Sequence, residues 1–377
     1  MRARVAQALD GIGGGGFRLA AMCALLFLVM VGIVFGRSGR DAIFIREIGS
    51  AKLPFMYLLT AVVMVGASGL YARVVDRMSR FRLLAVVLLA EVAVIALLRL
   101  LMILPHSAVA VAVFCVTEVL LIIPPMHFWT YGNDVFNPRE GKRAFPIIGA
   151  AGMLGTVAGG LLTRAIAQNA GTPELFTAWA LAGCLCLPAA LAARPAKRDG
   201  NMRYAKDEKR DGPPAGRIGE VRELLSIPLV RTLALLHVPM YIVIYVIDYQ
   251  FFSNLNEVFP DRDAMAGFLG VFTAVWSGSA MAFQFLLAGP LLRRFGVGRV
   301  ALVHPISVSL GAGALVARSL IALPVSGVGG FRSLLAVFSK YSHNSVKYGI
   351  DEPAYNLLFN SISRDRRGRS RALITGT

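Results

Sequence analysis

"LAAMCALLFLVMVGIVF", residues 19–35, carries no charged side chain along its whole length. About 20 such residues wound as an α-helix cross the roughly 30 Å hydrocarbon core of a bilayer. Basic residues precede the run, as they do in a secretory leader, but no Ala-x-Ala-like cleavage motif follows it. It therefore reads as a retained first membrane helix, and lipid becomes the solvent against which the rest of the chain is read.

Working outward, 56% of the chain is hydrophobic and only 16% is charged. Similar apolar runs recur, giving about ten spans at roughly 19–45, 54–75, 83–104, 108–134, 144–167, 174–193, 228–254, 265–288, 300–322 and 329–349. With the N-terminus in the cytoplasm, the external loops hold only Arg46, Lys52 and Arg262, and the other loop Lys and Arg residues fall inside. That asymmetry predicts a multi-pass protein of the inner (plasma) membrane with a cytoplasmic N-terminus. It also accounts for the formal charge of +17 without nucleic acid, because the basic residues are shared among alternate loops and form no single patch. Cys23, Cys115, Cys184 and Cys186 all lie within apolar runs and read as small buried hydrophobes. The last two, two residues apart on a helix, point to different faces, so no metal site is expected.

"RPAKRDGNMRYAKDEKRDGPPAGRIGEVRE", residues 194–223, breaks the apolar pattern. It reads as part of a cytoplasmic linker, 194–227, between a six-helix bundle at 1–193 and a second bundle at 228–349, with a basic cytoplasmic tail at 350–377. After the second span stands "LYARVVDRMSRFRLL" (70–84), and "LLRRFGVGRV" (291–300) follows the eighth, its counterpart in the other half. The first stretch resembles the Asp-Arg-x-x-Arg loop between helices two and three of the major facilitator superfamily, carried by Asp76, Arg77, Arg80 and Arg82. The resemblance implies an all-α polytopic membrane protein with the two-bundle facilitator fold. It also gives Asp76 a gating role, pairing charges across the cytoplasmic ends of the helices.

A charge at mid-bilayer costs about 2.5 to 3.5 kcal/mol even on lenient insertion scales, so ionisable residues inside spans are informative. Span one places Arg37, Arg40 and Asp41 on one face, where Arg37 can pair with Asp41. Span four aligns His127, Tyr131 and Asp134, with Asn133 beside them. Span seven aligns His237, Tyr241, Tyr245 and Asp248, and span ten Lys340, Asn344, Lys347 and Asp351. Lipid would penalise each stripe, whereas an aqueous cavity would favour it. In the facilitator fold, spans one, four, seven and ten line the central cavity.

A closer resemblance rests on four stretches. "FWTYGNDVFNPREGKRAFPIIGAAGMLGTVAGGLL" (128–162) is similar to the segment after helix four in the ATP/ADP translocases of plastids and intracellular bacteria and their bacterial relatives. "GRSGRDAIFIREIGSAKLPF" (36–55) resembles their first helix, "YVIDYQFFSNLNEVFPDRDAMAGFLG" (245–270) their seventh, and "NSVKYGIDEPAYNLLFNSISRDRRGRSRA" (344–372) their tenth and its exit. Arg40 stands at a family Lys, Asp134 and Asp248 at family Glu positions, and Phe251 with Phe252 where the family carries Trp-Lys. The missing cation at Phe252 bears on substrate, since phosphates need Lys or Arg to neutralise them.

The resemblance implies a secondary transporter moving an anionic solute, a nucleotide such as ATP or ADP, by alternating access and without a cofactor. The binding residues it implies are the stripe residues Arg37, Arg40, Asp41, His127, Tyr131, Asn133, Asp134, Tyr241, Tyr245, Asp248, Lys340, Asn344 and Lys347. Arg139, Glu140, Lys142 and Arg143 join Asp76, Arg77 and Arg80 as a cytoplasmic gate, and Gly152, Gly155 and Gly159 allow close helix approach. The competing class is a transport-inactive, facilitator-like sensor or assembly protein. An enzyme is disfavoured, since the chain has no His-Glu-x-x-His, Gly-x-Ser-x-Gly or Walker-type loop.

After the tenth span comes "DEPAYNLLFNSISRDRRGRSRALITGT" (351–377), whose arginines hold it in the cytoplasm. On this reading the last two of the twelve facilitator helices are absent, and either the chain is a truncated product or a partner chain or second copy supplies the missing surface.

Overall fold

A computed structural model of the 377-residue chain describes residues 16–75, 78–104, 106–136, 138–194, 223–320, 328–352 and 354. Among the described residues every regular element is helical. We number the helices α1 (Gly16–Glu47), α2 (Leu53–Val75), α3 (Arg80–Leu101), α4 (Ser107–Val135), α5 (Pro138–Ala170), α6 (Glu174–Ala192) and α7 (Pro228–Val258). Then α8 (Arg262–Phe283) widens into a π turn, Gln284–Ala288, and continues as Gly289–Val300, followed by α9 (Val303–Leu320) and α10 (Val328–Val346), which ends in a second π turn, Lys347–Asp351.

The helices stand where the apolar runs place them, yet among the described residues eight helices, not ten, are long and apolar enough to cross a membrane. In α9 the apolar part shortens to Val303–Val316, and α10 is diluted by Lys340, His343 and Asn344. The stretch 291–300, expected as a loop, is helical, and the chain turns within it at Gly296, whose φ of 74° is left-handed territory that suits glycine.

The chain divides into two compact units, Met1–Pro195 with Phe252–Gly278, and Ala196–Phe251 with Ser279–Thr377. In the first unit α1 is the spine, packed against α4, α5 and α6. Met22, Leu25 and Leu26 of α1 meet Leu84 and Leu88 of α3, Phe128 of α4, Ile148 of α5 and Cys186 of α6 in one core. Glycines set the separations. A Cβ on Gly155 would fall on the Phe27 backbone, and one on Gly159 would lie 3.0 Å from Val31 Cα, so α5 lies backbone-close on α1. Trp179 of α6 fills the hollow left by Gly32 and Gly36 of α1. Its indole N–H donates to Glu91 Oε1 of α3 at 3.1 Å, and Glu91 is 4% exposed. Trp179→Phe should therefore destabilise the protein by about 1 to 3 kcal/mol by stranding a buried carboxyl. Glu91→Gln, which keeps the acceptor, should be close to neutral, as thermal melts of the detergent-solubilised protein will read.

In the second unit α9 packs on α10, and the two π turns pack on each other. Gly349, in the second, accepts the approach of Ala280 O and Phe283 Cβ, each of which a Cβ would meet at 2.8 Å. Ile244 and Ile247 of α7 pack with Val308 of α9. The outward faces of both units are apolar, with Leu58, Val62 and Val65 of α2 and Ile306 and Leu310 of α9 exposed. Such faces suit a protein whose surrounding solvent is hydrocarbon.

Candidate substrate-binding residues

The charged residues of α1 form a buried cluster that differs from the expected one. Arg40, not Arg37, pairs with Asp41, through Nε at 2.8 Å and Nη2 at 2.7 Å. Its Nη1 bonds Glu118 Oε2 of α4, and its guanidinium sits 4.4 Å over the Phe114 ring. Arg40 is 8% and Asp41 6% exposed, whereas Arg37 is exposed. The i, i+4 expectation for Arg37 fails because Arg40 is long enough to fold back on its neighbour and reach across to α4 in the same pose. Arg37 still acts on both carboxylates through its charge. Arg40 and Arg37 against Asp41 and Glu118 sum to zero, so the cluster as it stands has no surplus positive charge.

On α4 the predicted stripe keeps its shared face, but that face turns into the unit. His127 is fully buried, its Nε2 donates to Arg80 O at 3.0 Å, and its Nδ1 accepts from the Tyr71 hydroxyl at 2.7 Å. The tautomer follows from the partners, since a carbonyl can only accept. His127 therefore ties together α2, α3 and α4, with both nitrogens engaged. Tyr131 is buried among the core residues, its ring 6.1 Å from that of Phe81. Asp134 is half-buried at the rim, and exposed Asn133 donates to Trp129 O at 3.0 Å.

Of the expected gate, Glu140 is half-buried and Arg143 exposed. Asp76 and Arg77 lie outside the described residues, as do the side chains of Arg139 and Lys142. Arg80 opens α3 behind the N-cap Ser79, whose hydroxyl accepts from Arg82 N.

At its other end the first unit carries a polar network that the sequence did not single out. Arg46 donates to Asn256 Oδ1 at 3.0 Å, Arg262 pairs with Glu47 at 3.4 Å, and Asp263 Oδ1 accepts from Thr172 N at 2.7 Å and Thr172 Oγ1 at 2.6 Å. Beneath it α5 and α8 touch backbone to backbone, where Gly160 faces Gly270.

In the second unit Lys340 of α10 pairs with Asp248 of α7, joining two of the predicted stripes. Asn344 and Lys347 are half-buried, with Lys347 Nζ 5.3 Å from the Tyr348 ring. Tyr241 packs beside the Ile244 cluster, and Tyr245 is exposed. One turn from Lys340, His343 bonds His304 of α9 at 3.0 Å.

Glu118, Glu91, His304 and His343 escaped the sequence reading. A lone carboxylate inside an apolar run would have found the first two, because nothing in lipid permits such a group without a partner. The histidines lie inside the ninth and tenth apolar runs and carried the same signal, but not the identity of their partner, which lies 39 residues away.

The family model for the Major Facilitator Superfamily matches residues 130–375. Among curated proteins, ADP,ATP carrier protein 1, chloroplastic, of Arabidopsis thaliana is 22% identical over 292 residues, covering 72% of this chain and 47% of that protein. ADP,ATP carrier protein 1 of Chlamydia muridarum is 25% identical over 272 residues, covering 66% and 51%. The chain spans about half the length of these curated relatives. Among solved structures, the nucleoside transporter NupG superposes with a TM-score of 0.64 at 12% identity, over 95% of this chain and 87% of that one. A bacterial homologue of the human lysosomal transporter Spinster, inward-facing and unoccupied, gives a TM-score of 0.52 at 15% identity, over 96% and 78%. At these identities the two structures speak for the fold.

Proposed function

From the premise that the chain belongs to the Major Facilitator Superfamily, a family of secondary transporters, we propose that it moves an anionic solute, a nucleotide such as ATP or ADP, by alternating access. The observation that carries this reading is that one cation on α1 and one on α10 are each held by carboxylates. Arg40 is clamped by Asp41 and Glu118, and Lys340 by Asp248. A phosphate offers the same acceptor geometry as a carboxylate, with more charge, so it can compete for either cation. Binding then releases a carboxylate inside the membrane, which links solute to helix position, since the clamped residues sit on different helices. Arg37 and Lys347 extend the positive set on the same stripes. The names of the curated relatives, ADP,ATP carriers, support a nucleotide as the solute class.

In this reading the N-terminus is cytoplasmic and the membrane is the cell's inner membrane, as the loop arginines indicate. Asp134 and Asn133 sit where α4 leaves the pathway, and Arg80, Arg139, Glu140, Lys142 and Arg143, with Asp76 and Arg77, form the cytoplasmic gate.

Uptake of labelled ATP and ADP into proteoliposomes, with and without unlabelled nucleotide inside, tests the proposal. Exchange that depends on internal nucleotide is expected. Asp248→Asn, which leaves Lys340 without its counter-charge, should lower exchange tenfold or more, about 1.4 kcal/mol in transition-state terms, with the folded yield retained. No uptake above empty liposomes by folded protein would favour the sensor class instead.

A further inference from the structure

Arg40 has two carboxylate partners, and they are not held alike. Asp41 takes two of its nitrogens, Nε at 2.8 Å and Nη2 at 2.7 Å, and its side chain is 8% exposed. Glu118 of α4 takes Nη1 alone, through Oε2, and its side chain is 32% exposed. The Phe114 ring covers one face of the guanidinium at 4.4 Å. Asp41 thus fixes the group from the buried side, and the nitrogen nearer accessible surface is the one that Glu118 occupies. Arg37, exposed on the same face of α1, acts on both carboxylates through its charge without bonding either.

A guanidinium presents its N–H donors in a rigid fork, so each edge accepts one planar anion at a time. With Nε and Nη2 committed to Asp41, the donor left for an incoming anion is Nη1. The solute and Glu118 are therefore alternatives. Glu118 is tethered beside its partner and competes at a high effective concentration, because it gives up no translational freedom on binding. A phosphate overcomes that advantage through its larger charge and its attraction to the nearby Arg37. The charge sum agrees with this division. Arg40 and Arg37 against Asp41 and Glu118 give zero, and a Glu118 that no longer contributes its charge leaves one positive charge in surplus.

The difference in grip also says which partner returns. A carboxylate held by a single bond and one-third exposed can leave and come back, whereas one held by two bonds in a buried position is part of the scaffold. Glu118 also belongs to α4 and Arg40 to α1, so each departure and return changes a contact between two helices of the first unit.

We propose that Glu118 is a built-in competitor for the solute's place on Arg40: it lowers the affinity of the site for anions and, by retaking Nη1, drives the bound solute off. Asp41 is a positioning residue that holds the guanidinium in one pose for either occupant. The inference rests on the anion-carrier reading above and adds to it the residue that sets affinity and release.

Binding of radiolabelled ATP to the detergent-solubilised full chain tests it. Glu118→Gln should tighten binding by about tenfold or more, since a like charge no longer contests the site. Glu118→Asp, with the same charge but one methylene short of Nη1, should tighten it too, by less. Asp41→Asn should bring no tightening. A simple change of field would instead strengthen Glu118→Gln and Asp41→Asn alike, because each removes one negative charge, and would leave Glu118→Asp unchanged. In exchange assays Glu118→Gln should lower KM and the maximal rate together, as a site that binds more tightly releases more slowly. A merely structural defect would lower the rate with KM unchanged or raised. Binding unchanged or weakened in Glu118→Gln, or tightened equally in Asp41→Asn, would overturn the proposal. The same assay with inorganic pyrophosphate separates it from the nucleotide reading. Tightening towards pyrophosphate in protein that does not bind ATP would leave the role of Glu118 standing while removing the nucleotide, and folded variants that bind neither would overturn both.

Discussion

Arg40→Gln is expected to be the most damaging single substitution in the first unit, costing about 3 to 5 kcal/mol, because it leaves two carboxylates facing each other with no cation between them. Arg40 is the common partner of Asp41 and Glu118, and Arg37, exposed on the same face of α1, acts on the two carboxylates through its charge without bonding either. The compensated triple variant Arg40→Gln, Asp41→Asn, Glu118→Gln should recover most of that loss, since amides of nearly the same shape can bond one another without charge. Folded yield and thermal midpoint in detergent read the first part, and nucleotide exchange the second. The triple variant should fold and fail to exchange, which separates a structural ion cluster from one that also meets the solute. An Arg40→Gln protein with the melting curve of wild type would show that the cluster does not hold the first unit together, and full exchange by the triple variant that it does not meet the solute.

The second large effect is expected where α5 crosses α8. A Cβ on Gly270 would lie 2.5 Å from Gly160 O and 2.6 Å from Thr163 Cβ, and one on Gly160 would fall on Gly270 O, 2.8 Å from Ala274 N. These neighbours are mainly backbone, so no side chain can rotate out of the way. Gly160→Val and Gly270→Val should each cost about 1 to 3 kcal/mol by overpacking, and the pair should add less than its sum once one substitution has parted the helices. Gly149→Ala is the control, because a Cβ there meets nothing within 4 Å and alanine is the better helix former. The contact lies beneath the Arg46–Asn256, Glu47–Arg262 and Thr172–Asp263 bonds, so the same variants should also abolish exchange if that end must stay closed for part of the cycle. Valine variants that melt with the alanine control would mean the helices can separate here without loss.

The glycines show how far a sequence can be read. Gly152, Gly155 and Gly159 recur at helical spacing, and close packing on some helix followed from that pattern. The pattern left open which helix: the answer is α1 at Leu26, Phe27 and Val31. Gly160, one position further on and so on another face, meets α8. The stripe on α4 is a sharper case. Its spacing put His127, Tyr131 and Asp134 on one face, and they do share it, yet the face looks into the unit, where Tyr71 and Arg80 take up both nitrogens of His127. Periodicity reports a common face but not the direction in which that face is turned.

What the sequence determined by itself was the solvent and the helices. The length of an apolar run is a local property, and bilayer thickness converts it into a spanning helix with little help from the rest of the chain. Hence the ten helices among the described residues begin and end within a few residues of the apolar runs, apart from the extension of α5 to Pro138 and of α8 beyond its π turn to Val300. What only the tertiary structure decided was the pairing of polar groups. Arg40 was expected to leave Asp41 to Arg37, and instead it took both Asp41 and Glu118, 78 residues away. Glu91 found an indole on α6, and His304 found His343 and Asp351. The reason is that Coulomb attraction and hydrogen bonding act through distances in space. Those distances depend on how each helix is rotated and how closely glycine lets its neighbours approach, and neither quantity is local to any stretch of the sequence.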